Sequence, residues 1–187
     1  SDKCPALCPV GVDAPALRRA QRATVNDSLA YNYSYLQRCE PAVKVNVGVN
    51  AVDVNAATPA PEVMYFAGCM SHLTPRIIKS VEKVFKAASV DYVFADRDGG
   101  ICCGRPLMLA GKTSAARETI AANRKMILDS GCKTLVLSCP ICYKIFKDEY
   151  DLKGIEILHY TQYIKRLVEQ GRLKLSSCDE RLVYHDP

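Results

Sequence analysis

The chain has 187 residues, 49% of them hydrophobic and 24% charged, which excludes a wholly disordered protein and allows one α/β domain plus a small appendage. The net charge of +5 is carried by Lys and Arg scattered along helix-like stretches. They read as solvated faces, compatible with an acidic protein partner, and not as a nucleic-acid footprint. No apolar run reaches the length of a direct membrane span, and Ser1 opens nothing like a secretory signal. The expected location is therefore cytoplasmic, peripheral to a membrane only through a partner.

Three regions differ in texture. Residues 1–41 begin with a cysteine-proline segment and continue into a predicted helix over Pro15–Leu36, weakened by the Tyr-Asn-Tyr-Ser-Tyr run from Tyr31. Residues 42–61, rich in Val, Asn, Ala and Pro, read as a linker or a strand laid on the main domain. From residue 62 to 187 strand and helix alternate. Val63–Ala67 is a first predicted strand, and Thr74-Pro75 opens a helix with an N-cap and proline at its first position. In that helix Ile77, Ile78, Val81, Val84, Phe85 and Ala88 keep a 3.6-residue period. Tyr92–Ala95 is a second strand, and a long helix over Ser114–Asp129 stops at Gly131. Thr134–Ser138 is a third strand, followed by the helix of Ile145 and Phe146. Ile155–Leu158 is a fourth, Thr161 caps a helix ending near Gly171, and Arg181–Tyr184 is a fifth. This order requires a parallel sheet with right-handed crossovers. The expected fold is α/β, a Rossmann-like parallel sheet with helices on both faces, preceded by a short helical N-terminal segment. Ala67-Gly68-Cys69-Met70-Ser71 follows the first strand where a dinucleotide site would carry its glycine fingerprint, so nucleotide binding has no support.

Ten cysteines without an export signal point to metal or redox chemistry more than to disulfides. Cys69 follows the first predicted strand, Cys102 and Cys103 follow the second after a loop, and Cys139 closes the third. The carboxyl ends of parallel strands form one rim, so distant positions converge on one crevice. Cys139-Pro140-Ile141-Cys142 offers two sulfurs from one turn at a helix start, where free N–H groups and the dipole stabilise thiolates. The vicinal pair Cys102-Cys103 suits a multi-iron cluster, because neighbouring thiolates reach different irons, and Gly104 lets the backbone pass close to inorganic sulfide. Two alternatives stand beside this. A structural zinc site takes four ligands and has no use for a fifth. A dithiol protein would use the Cys-x-x-Cys alone, and a Cys102–Cys103 disulfide would close a strained ring.

The pattern Cys69…Cys102-Cys103-Gly104…Cys139-x-x-Cys142 resembles the CCG cysteine-rich domain. That family includes the B and D subunits of heterodisulfide reductase and iron–sulfur subunits of glycerol-3-phosphate, glycolate and lactate oxidoreductases. The resemblance covers residues 62–187. It implies a cluster of the 4Fe–4S type, non-cubane in heterodisulfide reductase, held by Cys69, Cys102, Cys103, Cys139 and Cys142, with Cys102, Cys103 and Arg105 nearest any catalytic contact. It also implies redox partner subunits, a flavoprotein or a membrane quinone-reactive subunit, and a disulfide or small electron carrier as substrate. The family commonly carries two copies of the motif, so 62–187 reads as the first of a tandem pair in a longer protein. Near the N-terminus, Cys4-x-x-x-Cys8-Pro9 resembles the tail of a ferredoxin-type motif, which makes Cys4 and Cys8 candidate ligands in the intact protein.

The remaining candidates read more plainly. Cys132 and Cys178 are expected to be free thiols, and Cys39 has no spacing argument. His159 and His185 end predicted strands and His72 follows Cys69; each is expected to be a hydrogen-bonded rim residue. Arg105, beside Gly104, is the polar residue placed to touch substrate or tune cluster charge, and Asp98 reads as a loop residue.

Overall fold

The computed structural model describes residues 12–25, 60–177, 179–181 and 183. Helix α1 spans Ala14–Val25, so the predicted helix forms at its N-terminal end, while residues 26–36 lie outside the described residues, as do 42–59 of the expected linker.

The domain alternates β1 (Val63–Phe66), α2 (Cys69–Leu73), α3 (Pro75–Ala87), β2 (Tyr92–Phe94), α4 (Arg105–Leu109), α5 (Thr113–Asp129), β3 (Thr134–Leu137), α6 (Pro140–Glu149), β4 (Glu156–His159) and α7 (Tyr160–Glu169). Among the described residues the strands form one parallel sheet in the order β2-β1-β3-β4, with Tyr65 beside Phe94 and Val136, and Leu137 beside His159. The α/β fold expected from the sequence is the fold observed.

Period-two alternation sorts the strand residues between two cores. Met64, Phe66, Leu135 and Leu137 pack with Met126 and Ile127 of α5 and Ile145 and Phe146 of α6. Val63, Tyr65, Phe94, Val136 and Leu158 pack with Ile78, Val81 and Phe85 of α3 and Tyr163 and Leu167 of α7. Tyr65 meets Phe85 edge to face at 5.6 Å between centroids, and Phe66 meets Phe146 at 5.0 Å. β1 is buried on both sides, which is why it reads as a continuous apolar run. The chain turns one way from β1 to β2 and the other way from β2 to β3, so the strand order reverses between β1 and β3. Ligand crevices form at such a reversal, outside the carboxyl ends of the strands.

Local details depart from expectation. Thr74 precedes α3 but does not cap it; its hydroxyl turns back to the Met70 and Ser71 carbonyls at 3.5 Å. Helix α7 starts at Tyr160, with His159 as its N-cap instead of Thr161, because the Gln162 side chain accepts the His159 N–H at 2.9 Å. The expected fifth strand is not seen where it can be judged. Arg181 and Val183 carry no strand, Val183 is 96% exposed and thus has no neighbouring strand, and Leu182 and Tyr184 lie outside the described residues.

Candidate metal centre

The five cysteines all stand at the carboxyl end of the sheet. Cys69 opens α2 directly after β1, Cys102 and Cys103 precede α4, Cys139 caps α6 after β3, and Cys142 sits in its first turn. Cys102, Cys103 and Cys142 are buried, whereas Cys69 and Cys139 are half-buried.

Their thiols run as one chain of neighbours. Cys69 stands beside Cys102, Cys102 beside Cys103, and Cys142 between Cys103 and Cys139. This chain sorts the sulfurs electrostatically. The bond from Cys102, then that from Cys142, draws the Cys103 thiol far below its ordinary range despite burial, helped by the Arg105 N–H. The bond from Cys142 lowers Cys139 to about 6 against burial, with the Cys142 and Ile141 N–H groups of the helix start assisting. The donors move oppositely: Cys69 rises through its bond to Cys102 and through burial, and Cys142 through its bonds to Cys103 and Cys139.

Backbone N–H groups face these sulfurs as well. Gly104 N–H donates to Cys102 Sγ at 3.4 Å. Arg105, at the first position of α4, serves Cys103 through its backbone N–H. Gly104 has a conformational role as well. It has φ +87°, and a Cβ there would meet Ile120 of α5 at 3.4 Å, so glycine is needed for the left-handed turn into α4.

Asp96 is a residue that sequence reasoning did not single out. It lies after β2, is 2% exposed, and accepts the Ala67 and Gly68 N–H groups at 2.8 Å each. His72 Nε2 joins it at 3.1 Å. This clamp fixes the turn that delivers Cys69, and the Asp96 bond raises the His72 pKa although burial opposes it. The available signal was an acidic residue at the carboxyl end of a predicted strand, on the rim that carries the cysteines. His159 anchors the opposite side: its Nε2 hydrogen-bonds the Ser138 carbonyl at 3.1 Å and its Nδ1 pairs with the Thr161 hydroxyl at 2.8 Å, beside Cys139. Cys132 is a buried free thiol in the α5–α6 core. Cys4, Cys8, Cys39, Cys178 and His185 lie outside the described residues.

Among the described residues no three His, Cys, Asp or Glu side chains are grouped as ligands of one metal ion. The donor set is thiolate with N–H support, the chemistry iron–sulfur clusters use, so the residues present fit such a group. No helix among the described residues is long and apolar enough to cross a membrane.

Comparison with known proteins places the cysteine-bearing segment in one family match. Residues 63–147 match the cysteine-rich domain family CCG. Over 145 residues the chain is 21% identical to the B subunit of fumarate reductase (CoM/CoB) from Methanothermobacter marburgensis, covering 76% of this chain and 28% of that protein. It is 26% identical over 131 residues to EtfAB:quinone oxidoreductase of Syntrophomonas wolfei, covering 67% and 18%. It is 28% identical over 139 residues to the C subunit of anaerobic glycerol-3-phosphate dehydrogenase from Escherichia coli, covering 67% and 35%. The chain thus spans only 18% to 35% of the length of these relatives, which are oxidoreductases or their subunits by name. No solved structure matches it. Residues 63–147, the part of the chain similar to the CCG cysteine-rich domain family, carry all five cysteines of the rim.

Proposed function

We propose that this domain is an iron–sulfur electron-transfer component of an oxidoreductase, with Cys69, Cys102, Cys103, Cys139 and Cys142 holding a cluster of the 4Fe–4S type. The observation that carries this is the gathering of five cysteines at the carboxyl end of the sheet, beside the strand-order reversal, from the segments that follow β1, β2 and β3. Bound there, the cluster supplies one-electron acceptance and donation. The protein's part is to supply thiolates and to aim N–H groups at them. It also buries three of the sulfurs, leaving the Cys69–Cys139 side as the open edge. Electrons would enter and leave at that edge, to and from partner subunits such as a flavoprotein or a quinone-reactive membrane subunit, in a reducing compartment that keeps the thiols free.

The heterodisulfide-reductase-like form of this reading brings a disulfide substrate to the same edge. Mixing the dithionite-reduced, iron-loaded protein with a small disulfide or with a quinone analogue separates it from a relay: rapid reoxidation by the disulfide supports it, and reoxidation by the quinone alone removes it.

The primary test is metal and sulfide content with an EPR spectrum, on protein purified without oxygen. About four irons and four sulfides per chain, lost in Cys102→Ser and Cys139→Ser, are expected. Stoichiometric zinc without sulfide after the same handling would overturn the reading and leave a zinc-stapled domain. A colourless, metal-free protein cycling a Cys139–Cys142 disulfide would leave a dithiol protein.

A further inference from the structure

The vicinal cysteine pair is held from behind by two buried side chains. Asn123, on α5, is 1% exposed, and Tyr150, directly after α6, is fully buried. Asn123 Nδ2 donates to the Cys102 carbonyl and to the Tyr150 hydroxyl, both at 2.9 Å, which uses both of its hydrogens. The Tyr150 hydroxyl in turn donates to the Cys103 carbonyl at 3.2 Å. Its ring stacks on Phe146 at 3.9 Å, and Arg124 Nε donates to the Tyr150 carbonyl at 3.1 Å, so ring and backbone are both fixed.

The Cys103 carbonyl and the Gly104 N–H belong to one planar trans peptide and point in opposite directions. Fixing the carbonyl toward Tyr150 therefore aims the Gly104 N–H the other way, where it meets Cys102 Sγ at 3.4 Å. The preceding peptide is tied in the same manner through the Cys102 carbonyl and Asn123. Burial makes the arrangement obligatory, because no water replaces a lost hydroxyl at a buried carbonyl and the peptide must find a new orientation.

We propose that Tyr150 and Asn123 are positioning residues that set the hydrogen bonding of the Cys102 and Cys103 sulfurs and thereby the reduction potential of the group those sulfurs hold. The inference rests on the reading of the five cysteines as cluster ligands. N–H donors stabilise the more negative, reduced form of a thiolate-held cluster, so loss of a donor lowers its potential.

The test compares wild type, Tyr150→Phe and Tyr163→Phe, the last removing a hydroxyl that serves Glu62 on the other side of the sheet. Redox titrations of the anaerobic, iron-loaded proteins are followed by EPR. Tyr150→Phe is expected to keep its iron, to titrate at a more negative midpoint and to show altered g-values, while Tyr163→Phe matches wild type. Amide hydrogen exchange at Gly104, measured by NMR on cluster-free protein, is expected to speed up in Tyr150→Phe alone. Unchanged midpoint and unchanged Gly104 exchange in Tyr150→Phe would overturn the proposal. A wild type that assembles no cluster refutes the electron-transfer reading instead, and the exchange arm still decides whether Tyr150 orients the Gly104 amide. If Tyr150→Phe does not fold, 3-fluorotyrosine at position 150 keeps the ring and alters the donor. Midpoint and exchange identical to wild type would then overturn the proposal.

Discussion

Gly68 lies directly beneath Cys142: a Cβ added at Gly68 would stand 3.0 Å from Cys142 Sγ and 3.7 Å from Cys139 Cβ. The turn after β1 thus touches the helix start after β3, across the strand-order reversal. Gly68 also has φ 83° and ψ 153°, a conformation open to glycine almost alone. Gly68→Ala therefore strains the backbone by about 1–3 kcal/mol and pushes on a proposed ligand sulfur at once. The expected outcome is a lower thermal midpoint together with reduced iron per chain after anaerobic reconstitution. A variant that loses stability but binds iron as wild type does would show that the Gly68–Cys142 contact has no bearing on the centre.

Asp96 makes a separable prediction. Its carboxylate satisfies two buried amides and the His72 ring, so Asp96→Ala leaves both N–H groups without an acceptor. Each costs about 1–3 kcal/mol. Asp96→Asn keeps one acceptor oxygen and is expected to lose less. Urea midpoints of the three proteins give the comparison, and an Asp96→Ala midpoint equal to wild type would remove the clamp from the account of how Cys69 is placed.

The parts of this molecule legible in the sequence are those set by period and by chemical rarity. The period of Ile78, Val81 and Phe85 marks α3, the short apolar runs mark the strands, and thiols at three strand ends mark the rim. What the sequence hid depends on approach in three dimensions. Asp96, in Ala-Asp-Arg-Asp-Gly-Gly, has the composition of a solvated loop, and only the chain path that lays it under Gly68 sets it apart from Asp98. Asn123 and Tyr150 look like ordinary members of helices, since their function comes from carbonyls that β2 and its loop bring to them. Strand order was equally hidden, because alternation of strand and helix fits more than one doubly wound sheet.

The edge of β1 supplies a pH prediction. Glu62 accepts from the Tyr163 hydroxyl at 2.8 Å and from Arg172 Nη1 at 2.7 Å. Burial raises its pKa, but the bonds from Arg172 and Tyr163 outweigh it and hold the carboxyl below its ordinary value of 4.5. A depressed carboxyl contributes stability above the unfolded pKa and loses it as pH falls through the folded one. Glu62→Gln is thus expected to flatten the fall in urea midpoint below about pH 4.5 and to leave that slope unchanged near neutrality. With 42% of the Glu62 side chain exposed, screening keeps the effect within about 1 kcal/mol. An acid limb as steep in Glu62→Gln as in wild type would assign it to other carboxylates.

Cys132 and Cys139 form the sharpest internal comparison, since both are cysteines close to β3 but at opposite ends of it. Cys132 is 2% exposed, packs in the apolar core, and burial pushes its thiol up, which makes it a small hydrophobe with little reactivity. Cys132→Ala should cost about 1 kcal/mol of stability and leave iron and sulfide per chain unchanged. Cys139 sits at the helix start with two N–H groups and Cys142 directed at its sulfur, and Cys139→Ser replaces a soft thiolate by a hard hydroxyl. Loss of iron in Cys139→Ser with little change in the unfolding midpoint of the cluster-free chain is expected. Equal loss of iron from both variants would mean that the five-cysteine set is drawn wrongly and that the core thiol of Cys132 belongs to it.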